Sequence, residues 1–461
     1  MKFKFNLTPT KVAKVKTKNR RILTKIPHPE SIKVLDKIAK YESSNVKDQL
    51  PVIWDKATGF NIFDRWGNCW IDFTSTIFVS NVGHSHPKIS RELKKYSDKL
   101  MHAYSYPTEI RSQYLEKLIK LTPKHLEKAS LYSTGTEATE RAIKLARLNG
   151  QSQNSEKTIM VGWVGNYHGK TMGSQMMSGQ FKDHSWIGYK DPNIVHLPFP
   201  YPWEMEKLNI SGKDLFEKHI KILKDNYKIK LENIAGFMIE TFQGWAAVFY
   251  PQDYIKALRG WSEKNNSLMI FDEIQAGFGR CGKFFGYEHY DVEPDIVCCG
   301  KGISGGFPLS AVLGSRKVID LDSTYTSTHG GHPMACAAGL ANLEIIEKDN
   351  LIQESYRKGE IMREKLLSWK NKFKGIISHV YCKGMIAGVL ITKDHNKKFS
   401  DFEKNLDYEL CDKIVEKSMQ KGVFIIRTGR GSLKFGPPLN IPDDALLEGL
   451  EVIEEGIKEL I

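Results

Sequence analysis

An α/β fold with a mostly parallel sheet is what this 461-residue sequence predicts, and three observations carry the prediction. From about Asp98 to Ile345, helical runs alternate with short apolar strands, the pattern that lays helices over a parallel sheet. Two of those strands deliver chemistry at their carboxyl ends, Asp272 on one and Lys301 just past the other, which is where such sheets bind ligands. The chain is also too long for one small core, so a second lobe is expected.

Residues 1–40 hold twelve Lys and Arg against two acids and so carry most of the formal net charge of +13. They predict a basic N-terminal arm, solvated or set against an anionic surface. No aromatic-interleaved basic stripe or nucleic-acid motif supports a nucleic-acid partner. Residues 41–97 are expected to begin a small domain. There Asn61–Asp64 and Cys69–Phe73 are β-prone runs separated by Arg65-Trp66-Gly67-Asn68, a hairpin signal.

Residues 98–345 form the expected large domain. Its strands are predicted at Lys128–Tyr132, Thr158–Trp163, Ile234–Glu240, Leu268–Asp272 and Ile296–Cys299, and its helices at Glu137–Arg147 and Tyr254–Asn265. A long helix follows Pro333, where Ala335, Ala337, Ala338 and Gly339 suit close packing. Residues 346–461 return to the small domain as an α+β segment that closes with a helix from Asp443.

Apolar content of 41% and charged content of 26% are those of a soluble globular enzyme. No apolar run approaches the roughly 18 residues that span a bilayer, and the opening MKFKFNLTPTKVAK lacks the apolar core of a secretory signal. Seven cysteines are odd in number and without metal-type spacing. A reducing cytoplasm, free thiols and no metal site are expected.

The chemistry centres on Ser267–Ser315. An acid and a lysine from neighbouring strands suit pyridoxal phosphate: Lys301 can form a Schiff base with its aldehyde, and Asp272 can keep its pyridine nitrogen protonated. Burial near other positive charge would lower the lysine pKa enough for attack. Gly300 and Gly302 let the backbone approach a ligand, although Gly-Lys-Gly alone also describes a turn with a solvated lysine. Ser133-Thr134-Gly135-Thr136-Glu137 leads from a strand into a helix. Its free N–H groups and dipole suit a phosphate, while Thr136 and Glu137 also suit a plain helix cap.

The segments FDEIQAGFGRCGKFFGYE and PDIVCCGKGISGGFPLSAVLG closely resemble the signature of class III (omega-type) aminotransferases, pyridoxal-phosphate enzymes of fold type I. The resemblance extends from about residue 50 to the end. It implies a large domain with a mostly parallel sheet and a smaller α+β domain formed by both chain ends. It makes Lys301 the Schiff-base lysine, Asp272 the partner of the pyridine nitrogen, and Gln275 the neighbour of the phenolic oxygen. Gly135 and Thr136 would bind the phosphate, with Thr134 in place of the family's usual serine. Tyr167 would stack on the ring, with His168 beside it in the Asn166–Thr171 turn, and Glu240 would support from behind. Thr328, in TSTHGGHP, would reach the phosphate of a neighbouring subunit, which implies a homodimer with shared active sites.

Substrate residues depart from the family pattern. Many members pair a glutamate after Gln-Gly with an arginine before Pro-Pro-Leu; here those positions are Trp245 and Lys434. Lys434 could still meet a carboxylate as a point charge, without a bidentate fork. Arg427 matches a mobile arginine of the omega-amino acid and amine branch, and is either a carboxylate receptor or a surface ion pair. Arg430 is a secondary candidate. Trp245, Ile77 and Phe78 would shape the pocket wall. The resemblance thus implies a transaminase that moves an amino group from an amine or omega-amino donor to 2-oxoglutarate or pyruvate in a ping-pong cycle. Aminomutase, racemase, decarboxylase and phospho-lyase outcomes use the same lysine and stay open, as does, remotely, a non-catalytic binding role on this scaffold.

Overall fold

A computed structural model describes residues 4–393 and 402–461. The chain forms two compact units, Pro87–Tyr356 and the combination of Met1–His86 with Arg357–Ile461. The sequence expectation had placed these divisions at residues 97/98 and 345/346.

The larger unit is built on seven strands: β1 (Lys128–Tyr132), β2 (Ile159–Trp163), β3 (Ile194–Leu197), β4 (Ile234–Glu240), β5 (Leu268–Asp272), β6 (Ile296–Cys299) and β7 (Ser310–Gly314). Their order is β1-β7-β6-β5-β4-β2-β3. All neighbours are parallel except β7, which runs antiparallel to both β6 and β1. Strands β2, β4, β5, β6 and β7 are buried at every position, which is why they read as unbroken apolar runs rather than alternating ones. Strands β3 and β7 were not anticipated. Ile194–Leu197 is only four residues long, and the glycines and proline of GGFPLSAVLG read as loop chemistry.

Helix α1 (Gly135–Gln151) starts two residues before the expected Glu137 because Thr134 caps it, with Glu137 returning the second bond of a capping box. Its buried face is unusually small in side-chain volume. Ala138, Ala142 and Ala146 bring the helix down onto Ile270, Cys298 and Val312 of the sheet, so its first turn sits close to the strand ends. The helix Pro333–Lys348 begins at the proline itself, where the missing N–H is no loss.

In the smaller unit, Asn61–Phe63 and Cys69–Asp72 pair antiparallel as expected. Val423–Phe424, from the far end of the chain, joins Cys69–Asp72 in parallel. A second sheet is antiparallel and contains Ile377–Lys383, Ile386–Ile391, Ser432–Phe435 and Ile426–Arg427. The basic start is not a solvated tail. Val15–Lys16 and Arg21–Ile22 form a hairpin that joins the first sheet through Arg21 and Cys69. Pro29–Tyr41 is a helix. Lys18 pairs with Asp444 at 2.7 Å and Arg20 with Glu448 at 2.8 Å, so part of the local charge excess is spent on acids near the carboxyl terminus.

All seven cysteines are free, six of them buried. Among the described residues no helix is long and apolar enough to cross a membrane.

Candidate active site

The middle of the large sheet fixes a line of three groups. Asp272 closes β5, and its Cα neighbours are Glu240 of β4 on one side and Cys298 of β6 on the other. Beyond β6 the chain turns through Gly300 to Lys301, whose φ is +45°. A non-glycine residue held there is strained by ~1–3 kcal/mol and marks a place where the surroundings dictate side-chain direction. These strand ends open on a cavity of about 320 Å³, bounded also by Thr134–Thr136, Tyr167–Lys170, Ile274 and Gln275.

The half-buried Lys301 amine makes no hydrogen bond or ion pair among the described residues. Burial pushes its pKa down, while Asp272 and then Glu240 pull it back up. The net direction is toward the neutral, nucleophilic amine.

Asp272 is buried, and His168 Nδ1 lies 2.8 Å from its Oδ2. A carboxylate only accepts, so Nδ1 carries the proton. The ring's Nε2 has no partner among the described residues. The histidine is itself pinned: its N–H donates to Ser178 Oγ at 2.8 Å, and its carbonyl accepts from Thr139 Oγ1 at 2.7 Å. The N–H of Ile274 donates to the other Asp272 oxygen at 3.0 Å. Asp272 is therefore fixed in place by a donor on each carboxylate oxygen.

The first turn of α1 also borders the cavity. Thr134 and Glu137 satisfy the cap between them, with Glu137 Oε2 accepting from the N–H groups of Thr134 at 2.8 Å and Ser133 at 3.0 Å. The N–H groups of Gly135 and Thr136 find no protein acceptor among the described residues. The cap is made by Thr134 with Glu137, so the alternative reading of Thr136 as the capping residue does not hold. The Thr136 hydroxyl is placed by Ser174 Oγ at 2.6 Å and Thr171 Oγ1 at 2.7 Å. Gly135 has a steric reason as well, because a Cβ there would meet Ile274 Cδ1 at 2.8 Å.

Glu240 Oε2 accepts from the N–H of Tyr167 at 3.0 Å and of Gly244 at 3.4 Å. A Cβ on Gly244 would lie 2.9 Å from both Glu240 Oε1 and Gln275 Nε2, so Glu240, Gly244 and Gln275 are packed together.

Of the residues expected at the cofactor, Gly135, Thr136, Tyr167, His168, Glu240, Asp272, Gln275 and Lys301 all border this one cavity. Thr328 does not border it; it is exposed, and its carbonyl accepts from His102 Nε2 at 3.0 Å. Trp245 is also absent from the cavity wall. It is buried, with its Nε1 donating to Gln243 Oε1 and its ring edge-on to Tyr201 at 6.3 Å. Phe78, Ile77, Arg427 and Lys434 belong to the smaller unit. Phe78 is buried and Ile77 exposed. Arg427 Nε pairs with Asp412 at 2.8 Å, and the buried Lys434 ammonium lies 4.5 Å from the Phe78 ring centre.

Ile274, Thr171 and Ser174 were missed by sequence reasoning. The last two had a signal, two hydroxyls three residues apart just after His168-Gly169.

A free amine, a buried carboxylate with a donor behind it, and two unsatisfied helix-start N–H groups, all on one cavity, fit a phosphorylated pyridine aldehyde. The comparisons with known proteins agree. The family Aminotransferase class-III matches residues 42–457. An acetylornithine aminotransferase of Caldanaerobacter subterraneus subsp. tengcongensis is 30% identical over 431 residues, 91% of this chain and 99% of that protein. An alanine/serine racemase of Pyrococcus horikoshii is 27% identical, covering 96% of this chain and 93% of its own length. The crystal structure of a Bacillus anthracis aminotransferase superposes with a TM-score of 0.85 at 25% identity, covering 93% of this chain and 99% of that one. The chain belongs to the class III aminotransferase family, fold type I enzymes that depend on pyridoxal 5'-phosphate to move an amino group to a keto acid.

Proposed function

We propose that this aminotransferase takes its amino group from an amine or omega-amino donor and passes it to 2-oxoglutarate or pyruvate, working as a cytoplasmic homodimer. The observation that carries the site assignment is the shared cavity of Lys301 and Asp272, with Asp272 held at 2.8 Å by His168.

Bound pyridoxal phosphate supplies an electron sink for the bond broken at the donor carbon. Around it, each residue has one task. The N–H groups of Gly135 and Thr136, with the Thr136 hydroxyl, bind the phosphate at the positive end of α1. Asp272 would hold the pyridine nitrogen in its protonated form, and His168 keeps Asp272 aimed. Tyr167 and Gln275, both on the cavity wall, would orient the cofactor ring and meet its oxygen substituent. Lys301, with its pKa lowered by burial, moves a proton from the donor carbon as general base and returns it as general acid. Thr328, exposed on its own subunit, serves the phosphate of the second copy.

A second reading stays in view because of the racemase relative and because Trp245 and Lys434 occupy the positions of the family's Glu–Arg pair. One experiment separates them. The purified holoenzyme is mixed with candidate amines and its visible absorbance followed. Bleaching that a keto acid reverses supports aminotransfer. Inversion or elimination of a single substrate without an acceptor supports the second reading. A Lys301→Ala protein that turns over as fast as wild type would overturn both.

A further inference from the structure

Beside the free N–H groups of Gly135 and Thr136 stands a cluster of three hydroxyls and one carboxylate. Thr136 Oγ1 lies 2.6 Å from Ser174 Oγ and 2.7 Å from Thr171 Oγ1, and those two are 2.9 Å apart. Glu140, half-buried and one helical turn beyond Thr136 on α1, closes the cluster. Its Oε1 accepts from the Thr171 hydroxyl at 2.5 Å and from the Ser174 N–H at 2.9 Å. Its Oε2 packs over Gly173, which has no room for a Cβ. Glu140 thereby caps the short helix Met172–Met177, whose preceding Thr171 makes no side-chain cap of its own.

The carboxylate also sets the direction of the hydroxyl protons. A carboxylate only accepts, so the single Thr171 hydroxyl proton is committed to Glu140. The Thr171 oxygen is left as an acceptor within reach of both Thr136 and Ser174. Thr136 carries one hydroxyl proton, and it already has acceptors on the protein at 2.6 and 2.7 Å. A phosphate at the start of α1 must compete for that proton.

Glu140 brings an uncompensated charge as well. A lysine four residues on is the usual partner of a helical glutamate, but Lys144 Nζ lies 2.7 Å from Asp322 instead. No cation pairs with Glu140 among the described residues. Two hydrogen bonds, 2.5 and 2.7 Å long, separate its oxygen from Thr136 Oγ1, so a phosphate oxygen bonded to Thr136 would lie no more than about 8 Å away. At that range two anions repel appreciably in a partly desolvated site.

We propose that Glu140 is a positioning residue with two opposed effects: its oxygen holds the hydroxyl cluster in shape, while its charge weakens phosphate binding and keeps the cofactor exchangeable. The proposal rests on the reading above that the phosphate binds at Gly135 and Thr136.

Substitution separates the two effects. The test titrates wild-type, Glu140→Gln and Glu140→Ala apoenzymes with pyridoxal phosphate and with pyridoxal, which lacks the phosphate. Gln keeps an oxygen for Thr171 and Ser174 and loses the charge. Pyridoxal phosphate therefore binds Glu140→Gln about fivefold more tightly than wild type, and pyridoxal binds both alike. Added salt shrinks the gain, because it screens the repulsion. Ala leaves two donors without their acceptor, and pyridoxal phosphate binds it about tenfold less tightly than wild type. A glutamate with a structural role alone would make Gln equal to wild type or weaker. That result overturns the proposal, as does a gain that pyridoxal shares; if Ala fails to fold, Gln alone decides. Thr136→Val distinguishes this from failure of the underlying reading. If it weakens pyridoxal phosphate binding while Gln brings no gain, the role of Glu140 alone is overturned. If it leaves binding unchanged, the phosphate assignment falls and the proposal with it.

Discussion

Replacing His168 by phenylalanine should loosen the cofactor while leaving its phosphate contacts in place. In the wild type, Nδ1 donates to Asp272 at 2.8 Å between two buried side chains. A hydrogen bond to a charged group contributes about 1.5–3 kcal/mol. Without it, Asp272 keeps the Ile274 N–H on its other oxygen but is a buried carboxylate lacking one donor. A carboxylate without that donor is no longer held in position to meet the pyridine nitrogen. The 1.5–3 kcal/mol therefore appears as weaker cofactor binding, about 10- to 150-fold in Kd at about 1.4 kcal/mol per decade. The assay is equilibrium titration of apoenzyme with pyridoxal phosphate, read by absorbance. His168→Asn, whose amide nitrogen can occupy the place of Nδ1, should recover part of the affinity. A His168→Phe protein that binds the cofactor as tightly as wild type refutes this account of Asp272.

Other perturbations follow from the same geometry. Thr136→Val keeps the helix cap and removes a hydroxyl at the free N–H groups; cofactor Kd should rise about tenfold with no change in melting temperature of the apoenzyme. Gly436→Ala would put a Cβ 2.1 Å from the Phe78 ring, and overpacking there should cost about 1–3 kcal/mol in urea unfolding. Burial raises Glu273 to about 7 from an ordinary 4.5. Its stabilising contribution is therefore complete below 4.5 and is lost as pH rises through 7, by roughly 3 kcal/mol in order of magnitude. Relative to wild type, Glu273→Gln should be more favourable at pH 8 than at pH 4 by about that amount; an equal difference at both pH values would remove Glu273 as the source.

The sheet was legible because its inner strands are buried on both faces and their sequences show it. The strand Ser310–Gly314 was hidden because it follows glycines and a proline and owes its place to pairing with Cys298 and Leu131, which no local pattern encodes. At the site, Lys301, Asp272 and Gly135 announce themselves by residue type and position on strand ends. The link between His168 and Asp272 joins residues 104 apart and becomes visible only in three dimensions. The basic start misled for a related reason. Composition counts charges but not their partners, and Asp444 and Glu448 lie at the other end of the chain.

The division of labour at the start of α1 bears on when the enzyme becomes active. Thr134 and Glu137 close the helix end by themselves, so nucleation of this element does not wait for vitamin supply. Newly made chains can complete the sheet and its covering helix first, then load cofactor as a separate and reversible event. Closure of this helix end is therefore separable from cofactor loading.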